Sequence, residues 1–404
     1  MKILHTSDWH LGQYFMMKTR ENEHFAFLNW LVDIIKKEKI DALLVAGDIF
    51  DSSAPPSYAR KLYSDFIVKL QASGCQQLII VSGNHDSVAV LNENKSLLNV
   101  LNVSVLAGLN EDLSKHLITL KNSQQQEAAI VCALPFLRAN DVMSSAFGLS
   151  AEKKQQNLQQ GIENSYQTVY QLAQERCTGK KLPIIATGHL TTVGCSVSES
   201  ERDIYIGTLG AFPSSLFPDF DYIALGHLHR AQKVQKSEHI RYSGSPIALS
   251  FDEAKHDKQV LIVEFTEKSD LKVTPLAIPN FQQLQVISGD LDSVCQQLSD
   301  LKKANKQKSI WVEIKLKQAF YVSDVQAQLN SQIEDSQIEI LRISSPQINE
   351  KSQWQETDVT TLDALTPIEL FQHRLQCEDN LSEQQQADLS DLFAQVCADL
   401  EDKA

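Results

Sequence analysis

The chain lacks what would place it in a membrane. No apolar run among its 404 residues approaches the ~18 that a span requires. Its N-terminus goes straight into a strand-like segment, Lys2 to Thr6, that already leads to polar chemistry, so no signal peptide is expected. Cysteine is sparse: Cys75, Cys132, Cys177, Cys195, Cys295, Cys377 and Cys397 are scattered, odd in number and form no CxxC. That argues against a disulfide framework or a thiolate metal site. It fits a reducing, cytoplasmic setting in which each cysteine is a small core residue. A Walker A loop is missing, so nucleotide hydrolysis would have to come from elsewhere. No internal repeat of solenoid period is visible. Positive charge is also short. There are 37 Lys and Arg against 51 Asp and Glu, a net of −14, which on its face speaks against a nucleic-acid partner. The distribution softens this. From Glu350 onward 13 acidic and 3 basic residues give −10, leaving −4 for the first 349 residues. The tail is acidic and the body near neutral, which leaves room for a local basic groove.

With 43% hydrophobic residues, the chain can build sizeable cores in two or three domains. Residues 2–8 predict a buried strand followed by Asp8-Trp9-His10-Leu11-Gly12. A helix is expected over about 22–38, with Phe25, Leu28, Leu31, Val32 and Ile35 on one face. Asp41 to Val45 predicts a second strand, ending in Gly47-Asp48-Ile49-Phe50-Asp51. A further helix over 57–73 follows the Pro55-Pro56 pair. The third strand leads through Ile79-Ile80-Val81-Ser82 to Gly83-Asn84-His85-Asp86. Three successive βα units predict a right-handed α/β sheet with ligands at the carboxyl ends of its strands.

Shorter strands are expected over 100–134, around a Gln-rich turn at 122–127, and a long polar helix over 150–177. The strand Leu182 to Ala186 ends in Thr187-Gly188-His189. The strand Tyr222 to Leu225 ends in Gly226-His227-Leu228-His229. Strands over 231–236, 239–243, 258–265 and 271–277 follow. Residues 281–345 then alternate strand (281–287), helix (290–304), strand (309–316), helix (323–333) and strand (336–343), without a polar cluster of the earlier kind. Residues 346–362 are polar and linker-like. Two helices come last: Thr366-Pro367-Ile368-Glu369 offers an N-cap, Pro at N1 and Glu at N3, and Ser382 to Gln385 is a capping box.

The chemistry sits at the strand ends: Asp8, His10, Asp48, Asp51, Asn84, His85, His189, His227 and His229. Imidazole, carboxylate and amide oxygen without thiolate suit Mn²⁺, Fe²⁺ or Zn²⁺, and carboxylate-rich sets accept Mn²⁺ well. Seven or more ligands are too many for one tetrahedral Zn²⁺. They suit two metals sharing a carboxylate. Two ions roughly 3.5–4 Å apart clamp the attacking and leaving oxygens of an in-line displacement at phosphorus and lower the pKa of bound water. Asp-x-His and His-x-His put two groups at i and i+2, on one side of a chain leaving a strand. Glycine before Asp48, Asn84, His189 and His227 would let the backbone turn sharply. A lone Asp-x-His is more often a satisfied loop than a ligand pair, and Gly-His alone carries little. Five such clusters, all at predicted strand ends, leave the bland explanation little room.

In that order, D-x-H, G-D-x-x-D, G-N-H-D, G-H and G-H-x-H resemble the calcineurin-like metallophosphoesterase superfamily over about residues 1–275. The resemblance implies a β-sandwich flanked by helices with a dinuclear site at one edge. It implies that Asp8, His10 and His229 hold one metal, that Asn84, His189 and His227 hold the other, and that Asp48 bridges them. His85 would be a non-ligand imidazole that stabilises the transition state and protonates the leaving oxygen, with Asp51 orienting it. Asp86 receives no role beyond loop cap or outer support.

The stretches His5 to Gly12, Gly47 to Asp51, Ile184 to Gly194, Asp203 to Leu209, Tyr222 to Arg230 and Gly244-Ser245-Pro246 look like the double-strand-break repair nucleases. Asp51 stands where archaeal and eukaryotic relatives often carry a second histidine, which matches the bacterial branch. This likeness implies a nuclease domain over 1–278, a small α/β capping domain over 279–345, a linker over 346–362 and a helical segment over 363–404. That segment would dock on a coiled-coil ATPase subunit, the source of any ATP dependence. Its stripes Leu370, Phe371, Leu375 and Leu389, Leu392, Phe393, Val396, Leu400 suit helix-in-groove docking. Packing on the chain's own body is the alternative. DNA as substrate, with duplex exonuclease and single-strand or hairpin endonuclease activity, and a homodimer within a heterotetramer are further implications. Arg20, Arg60, Arg138, Arg202 and Arg230 are candidate DNA contacts. A small-substrate phosphoesterase would not need the C-terminal 130 residues, and a non-catalytic scaffold would not need the full ligand set.

Overall fold

The structure, a computed structural model, describes residues 1–143, 150–201, 210–266, 270–305, 308–318, 322–346, 371, 389–390 and 392–393. Contacts divide the chain into two compact units. One comprises Met1–Lys317 with Val322–Ser344, the other Gln318–Tyr321 with Ser345–Ala404.

The first unit contains two six-stranded sheets. One runs in the order Leu271–Ala277, Gln259–Phe265, Lys2–Thr6, Ala42–Ala46, Gln77–Val81, Val103–Leu106. Its last four strands are parallel, as the βα units require. Its first two are antiparallel additions. The other runs Gln232–Lys233, Ile240–Tyr242, Tyr222–Gly226, Ile184–His189, Glu127–Cys132, Leu117–Lys121. The three βα units build the parallel part of the first sheet, and the second sheet completes the β-sandwich that the resemblance implied. Ile3, Leu44, Ile79 and Val81 of the first pack with Val131, Ile185, Tyr222 and Ala224 of the second. Outer faces are covered by helices. Glu21–Glu38 and Ser57–Gln71 pack on the first sheet through Phe27, Leu31 and Phe66. Ala151–Arg176 packs on the second through Leu158, Ile162 and Val169. Strands buried on both faces read as continuous apolar runs rather than alternating ones, and all five residues of Ala42–Ala46 are buried. Among them Leu43, Leu44 and Val45 contribute about 1.5–3 kcal/mol each.

Two local expectations change. Phe25 is 51% exposed, at the edge of its helix's apolar stripe, with the Lys69 ammonium 5.1 Å from its ring centroid. The strand expected over 231–236 is only Gln232–Lys233, followed by a 3₁₀ turn at Val234–Lys236.

Gln283–Gly289, Ile310–Leu316 and Ile338–Ser344 form a separate three-stranded parallel sheet with helices Leu291–Ala304 and Val322–Ile333. This is the alternation read over 281–345. It meets the rest of the first unit where Phe15, Phe251, Leu284 and Trp311 cluster. Phe15 belongs to a hairpin, Tyr14–Phe15 with Lys18–Thr19, that sequence patterning did not anticipate. Its strands are too short to show alternation, and its turn, Met16-Met17, takes positive φ without the usual Asn or Gly signal.

In the second unit the rings of Phe371 and Phe393 stack at 4.0 Å. Leu389 and Leu392 are exposed. Most of the helices expected at about 366–376 and 383–400, and the stretch Asp203 to Leu209, lie outside the described residues. Among the described residues no helix is long and apolar enough to cross a membrane.

Candidate metal centre

Trp9 shows how the first cluster is aimed. It is fully buried, edge-on to Phe27 and Phe66 at 5.9 and 5.2 Å, and its indole N–H donates to Thr6 Oγ1 at 3.1 Å. With Trp9 locked inward, its neighbours Asp8 and His10 face the other way. They do so on a left-handed backbone, φ 54° and 47°, and not as the end of an extended strand. Asp48 and His227 share this, with φ of 50° and 95°. Such conformations cost of order 1–3 kcal/mol each in non-glycine residues and need surrounding structure to hold them. Here the loops are laced together. Asp8 N–H donates to Gly47 O at 2.9 Å, His10 N–H to Asp48 O at 3.0 Å, and Leu11 N–H to Ile49 O at 2.9 Å.

Asp86, left without a role by the sequence, joins the next pair of loops. Its buried carboxylate accepts from the N–H groups of Gly83 (2.9 Å), Ile49 (3.1 Å) and Phe50 (3.0 Å). Burial, then the nearby Asp48 charge, pushes its carboxyl up to about 6. The glycines act mostly through close approach. Of the four that precede a predicted ligand, Gly47 alone has positive φ, 93°. At Gly83 a Cβ would fall 2.1 Å from Asp48 Oδ1.

All nine predicted residues converge. Donor atoms of Asp8, His10 and His229 lie within 4.8 Å of one another, as do those of Asp8, Asp48 and His189, and of His10, Asp51 and His85. Asn84 joins through Oδ1, 3.0 Å from His189 Nε2. The His227 ring is 5.4 Å from that of His189, and its backbone N–H donates to Asp8 Oδ1 at 2.8 Å. Asp48 stands between the groups: its Oδ2 is 3.5 Å from His10 Nε2 and 3.2 Å from His189 Nε2.

Hydrogen bonds assign the imidazole tautomers. His189 Nδ1 meets Ala46 O at 2.9 Å, and His85 Nδ1 meets Asp51 O at 2.7 Å. Carbonyls accept only, so both Nδ1 atoms donate and leave Nε2 toward the site. His10 Nδ1 donates to Asp51 Oδ1 at 3.2 Å. Asp51 thus steadies His85 through its backbone carbonyl, while its carboxylate turns His10. The carbonyl contact is one way in which Asp51 meets His85, and donor atoms of the two side chains lie within 4.8 Å of each other.

Charge gathers around Asp48. Burial opposes its ionisation, but the His189, His10 and His85 imidazoles overcome this and hold it well below the usual carboxylate range. Burial would depress His189, yet Asp48 and Asp8 raise it to about 9. His10 is raised against burial by Asp51, Asp48 and Asp8. His227 is pushed well down, by burial first and by neighbouring imidazoles next. Asp8 is raised by burial.

The donor set fits metal ions. It offers buried nitrogen and oxygen donors, and His10 Nε2 is buried with no hydrogen-bond partner among the described residues. The carboxylates that raise His10 and His189 are those that bound cations would neutralise. Asp8, His10 and His229 would hold one ion and Asn84, His189 and His227 the other, with Asp48 between.

Sequence reasoning missed Glu201, Ser200 and Glu253 around His229. Glu201 Oε1 accepts the His229 backbone N–H at 2.6 Å. None of the three lies in a motif of fixed spacing, and Ser196 to Glu201 reads as an ordinary polar loop. Of the arginines singled out, Arg20 is 1% exposed, paired with Glu23 and packed on Phe15 and Trp311, so it is no DNA contact. Arg60 pairs with Glu93 and Arg230 is exposed. Arg202 lies outside the described residues. Arg138 lies beside the site, donating to Asp86 O at 3.3 Å.

Comparison with known proteins matches residues 1–231 to the family described as Calcineurin-like phosphoesterase and residues 280–379 to the Type 5 capsule protein repressor C-terminal domain. SbcD of the Escherichia coli nuclease SbcCD is 43% identical over 97% of this chain and 97% of its own. Its namesake in Rhodobacter capsulatus is 36% identical over 69% of this chain and 70% of its own, and that of Staphylococcus saprophyticus 32% identical over 80% of each. Matched along nearly its whole length, with the phosphoesterase motifs gathered where strands of both sheets end, the chain belongs to the calcineurin-like phosphoesterases and, within them, to the SbcD family.

Proposed function

We propose that this chain is the metal-dependent nuclease subunit of a DNA-processing complex, hydrolysing phosphodiesters at a dinuclear centre. The observation that carries the reading is the place of Asp48 Oδ2, within 3.5 Å of His10 Nε2 and 3.2 Å of His189 Nε2. One carboxylate oxygen faces both halves of the ligand set, as a bridge must. When bound, two divalent ions, Mn²⁺ being well suited to mixed carboxylate and imidazole donors, supply charge neutralisation at phosphorus and an acidified water.

The chain's own residues do the rest. On this reading His85 is the general acid. Its Nδ1–H is fixed on Asp51 O, so the proton given to the leaving oxygen is the second one, carried on Nε2 by the imidazolium form, and the ring returns to its neutral Nδ1–H state. Its backbone N–H donates to Asp48 Oδ1 at 2.9 Å, which ties the acid's position to the bridging carboxylate. Asp51 orients two imidazoles from one residue, His85 by its carbonyl and His10 by its carboxylate.

Kinship to the SbcD proteins supports the wider assignment. In it, an SbcC-type ATPase supplies ATP dependence and docks on the C-terminal segment from 363 to 404. Residues 279–345 act as a capping domain over DNA. The complex is a heterotetramer around a homodimer of this chain, with 3′–5′ duplex exonuclease and single-strand or hairpin endonuclease activity. It serves DNA replication, recombination and repair in the cytoplasm.

The test is cleavage of labelled hairpin and linear duplex DNA, with and without the ATPase partner, in Mn²⁺ or EDTA. His85→Ala is expected to keep Mn²⁺ affinity and lose DNA cleavage by about 10²–10⁴-fold. DNA cleavage that survives EDTA overturns the metal mechanism, and loss of Mn²⁺ from His85→Ala overturns the acid assignment.

A further inference from the structure

Of the candidate metal-binding histidines, His229 carries the most elaborate support, and none of it belongs to the phosphoesterase motifs. Its Nδ1 lies 2.6 Å from Ser200 Oγ and 3.4 Å from Glu253 Oε1. Ser200 Oγ is also hydrogen-bonded to Glu253 Oε1. Glu253 is 1% exposed. Its two oxygens are covered by donors: Oε1 also accepts from Ser198 Oγ at 3.0 Å, and Oε2 accepts from Lys258 Nζ at 2.5 Å, Leu249 N at 3.2 Å and Ser245 Oγ at 3.3 Å. A backbone amide and an ammonium can only donate, so Glu253 is an acceptor in this arrangement.

The direction of each proton follows. Ser200 spends its single hydroxyl hydrogen on the carboxylate. What Ser200 turns to His229 is then a lone pair, and the short Nδ1 contact requires a hydrogen on Nδ1. The neutral ring therefore carries its proton on Nδ1 and its lone pair on Nε2, the nitrogen left for a metal. Partners of this kind fix the tautomer and orientation of ligating histidines.

We infer that Glu253, acting through Ser200, is a positioning residue that sets the tautomer of His229 and thereby tunes one of the two metal positions. The inference rests on the metal-centre reading above. It adds a control point outside every motif of that site, because Lys258 bonds both Glu253 and the His229 carbonyl, at 3.2 Å. A merely structural Glu253, stapling residues 245–258, would leave ring tautomer and metal affinity alone.

Calorimetric titration of the full chain with Mn²⁺, with ¹⁵N-histidine NMR of the metal-free protein, separates these. Wild type comes first: absence of Mn²⁺ binding there overturns the metal-centre reading itself. Given binding, Ser200→Ala and Glu253→Gln are expected to weaken one Mn²⁺ site by about 10–100-fold and spare the other. The His229 nitrogen signals should move from one tautomer toward a mixture. Ser200→Thr, which keeps the hydroxyl, should restore both. Ser200 is only half-buried, so Ser200→Ala keeps the test decisive should Glu253→Gln not fold. A folded Ser200→Ala protein with unchanged Mn²⁺ affinity and an unchanged His229 signal overturns the inference.

Discussion

Gly83→Ala adds a single methyl at the strand end that delivers Asn84 and His85, and the structure says how badly it fits. An ideal Cβ there lies 2.1 Å from Asp48 Oδ1, 2.4 Å from Asp48 N and 2.6 Å from Asp48 Cγ, against ordinary contact from 3.4 Å. One of these atoms is backbone, so no swing of a flexible tip relieves the clash. The loops must part by roughly 1 Å, and Asp48 is held in place by its bond from His10 N–H. Overpacking of this kind costs about 1–3 kcal/mol. The larger effect falls on function, since a displacement of about 1 Å at a reacting centre can cost on the order of 100-fold in rate. Gly83→Ala is therefore expected to lose stability modestly, to bind Mn²⁺ at least about tenfold more weakly, and to cleave DNA on the order of 100-fold more slowly. Gly108→Ala is the control, because its Cβ would meet only Val88 methyls at 3.7 Å. The assays are thermal unfolding, Mn²⁺ calorimetry and hairpin cleavage. Wild-type metal affinity and cleavage in Gly83→Ala would show that the Asp48–Gly83 approach is not what the site depends on.

Two further outcomes follow from groups other than the proposed metal ligands. His5 is fully buried, paired with Tyr222 OH at 2.9 Å, and burial lowers it to about 3, against about 6.5 in the unfolded chain. Between those values the unfolded state binds the proton and the folded state does not. The contribution is therefore complete above about 6.5 and lost as pH falls, by about 2 kcal/mol at pH 5. Urea unfolding at pH 7.5 and 5 should show this loss shrink by that amount in His5→Phe, and an unchanged pH slope in that variant refutes it. Trp311 is 7% exposed and stacks on Phe15 at 5.7 Å, where the small parallel sheet meets the rest of its unit. Trp311→Ala should cost about 3–5 kcal/mol, with new proteolytic cuts within 279–345. Wild-type melting and an unchanged digest would mean that the contact does not hold that sheet.

What was legible in the sequence and what was not divide along physical lines. Ligand types at strand ends are visible because polar residues after an apolar run must be explained by something, and His85 or Asp48 cannot be mistaken for core. Strand and helix order through 281–345 is visible for the same periodic reason. Pairing into two sheets is legible only through the resemblance, which implied a β-sandwich, because neither Lys2–Thr6 nor Tyr222–Gly226 carries a local signal of the strand it meets. Support residues are harder still. Glu253 is 24 residues from His229 and Ser200 is 29 residues before it, with no spacing rule to connect them, so only three-dimensional contact shows the relay.

The Asp8-x-His10 pair shows how a correct residue choice can rest on an incomplete reason. Alternation along a strand would aim i and i+2 together, and it would do so with relaxed backbone. The structure aims them together with both residues in the left-handed region, and Asp48 and His227 repeat this. Four of the proposed ligands are thus held in conformations costing of order 1–3 kcal/mol apiece, laced by interloop bonds and anchored by Trp9. Such a cost persists only if the loops are over-determined by their surroundings. That in turn explains Asp86: three backbone N–H groups from two ligand loops end on one buried carboxylate. It coordinates nothing on this reading, and its place is to keep the strained loops at the spacing a bridging Asp48 demands.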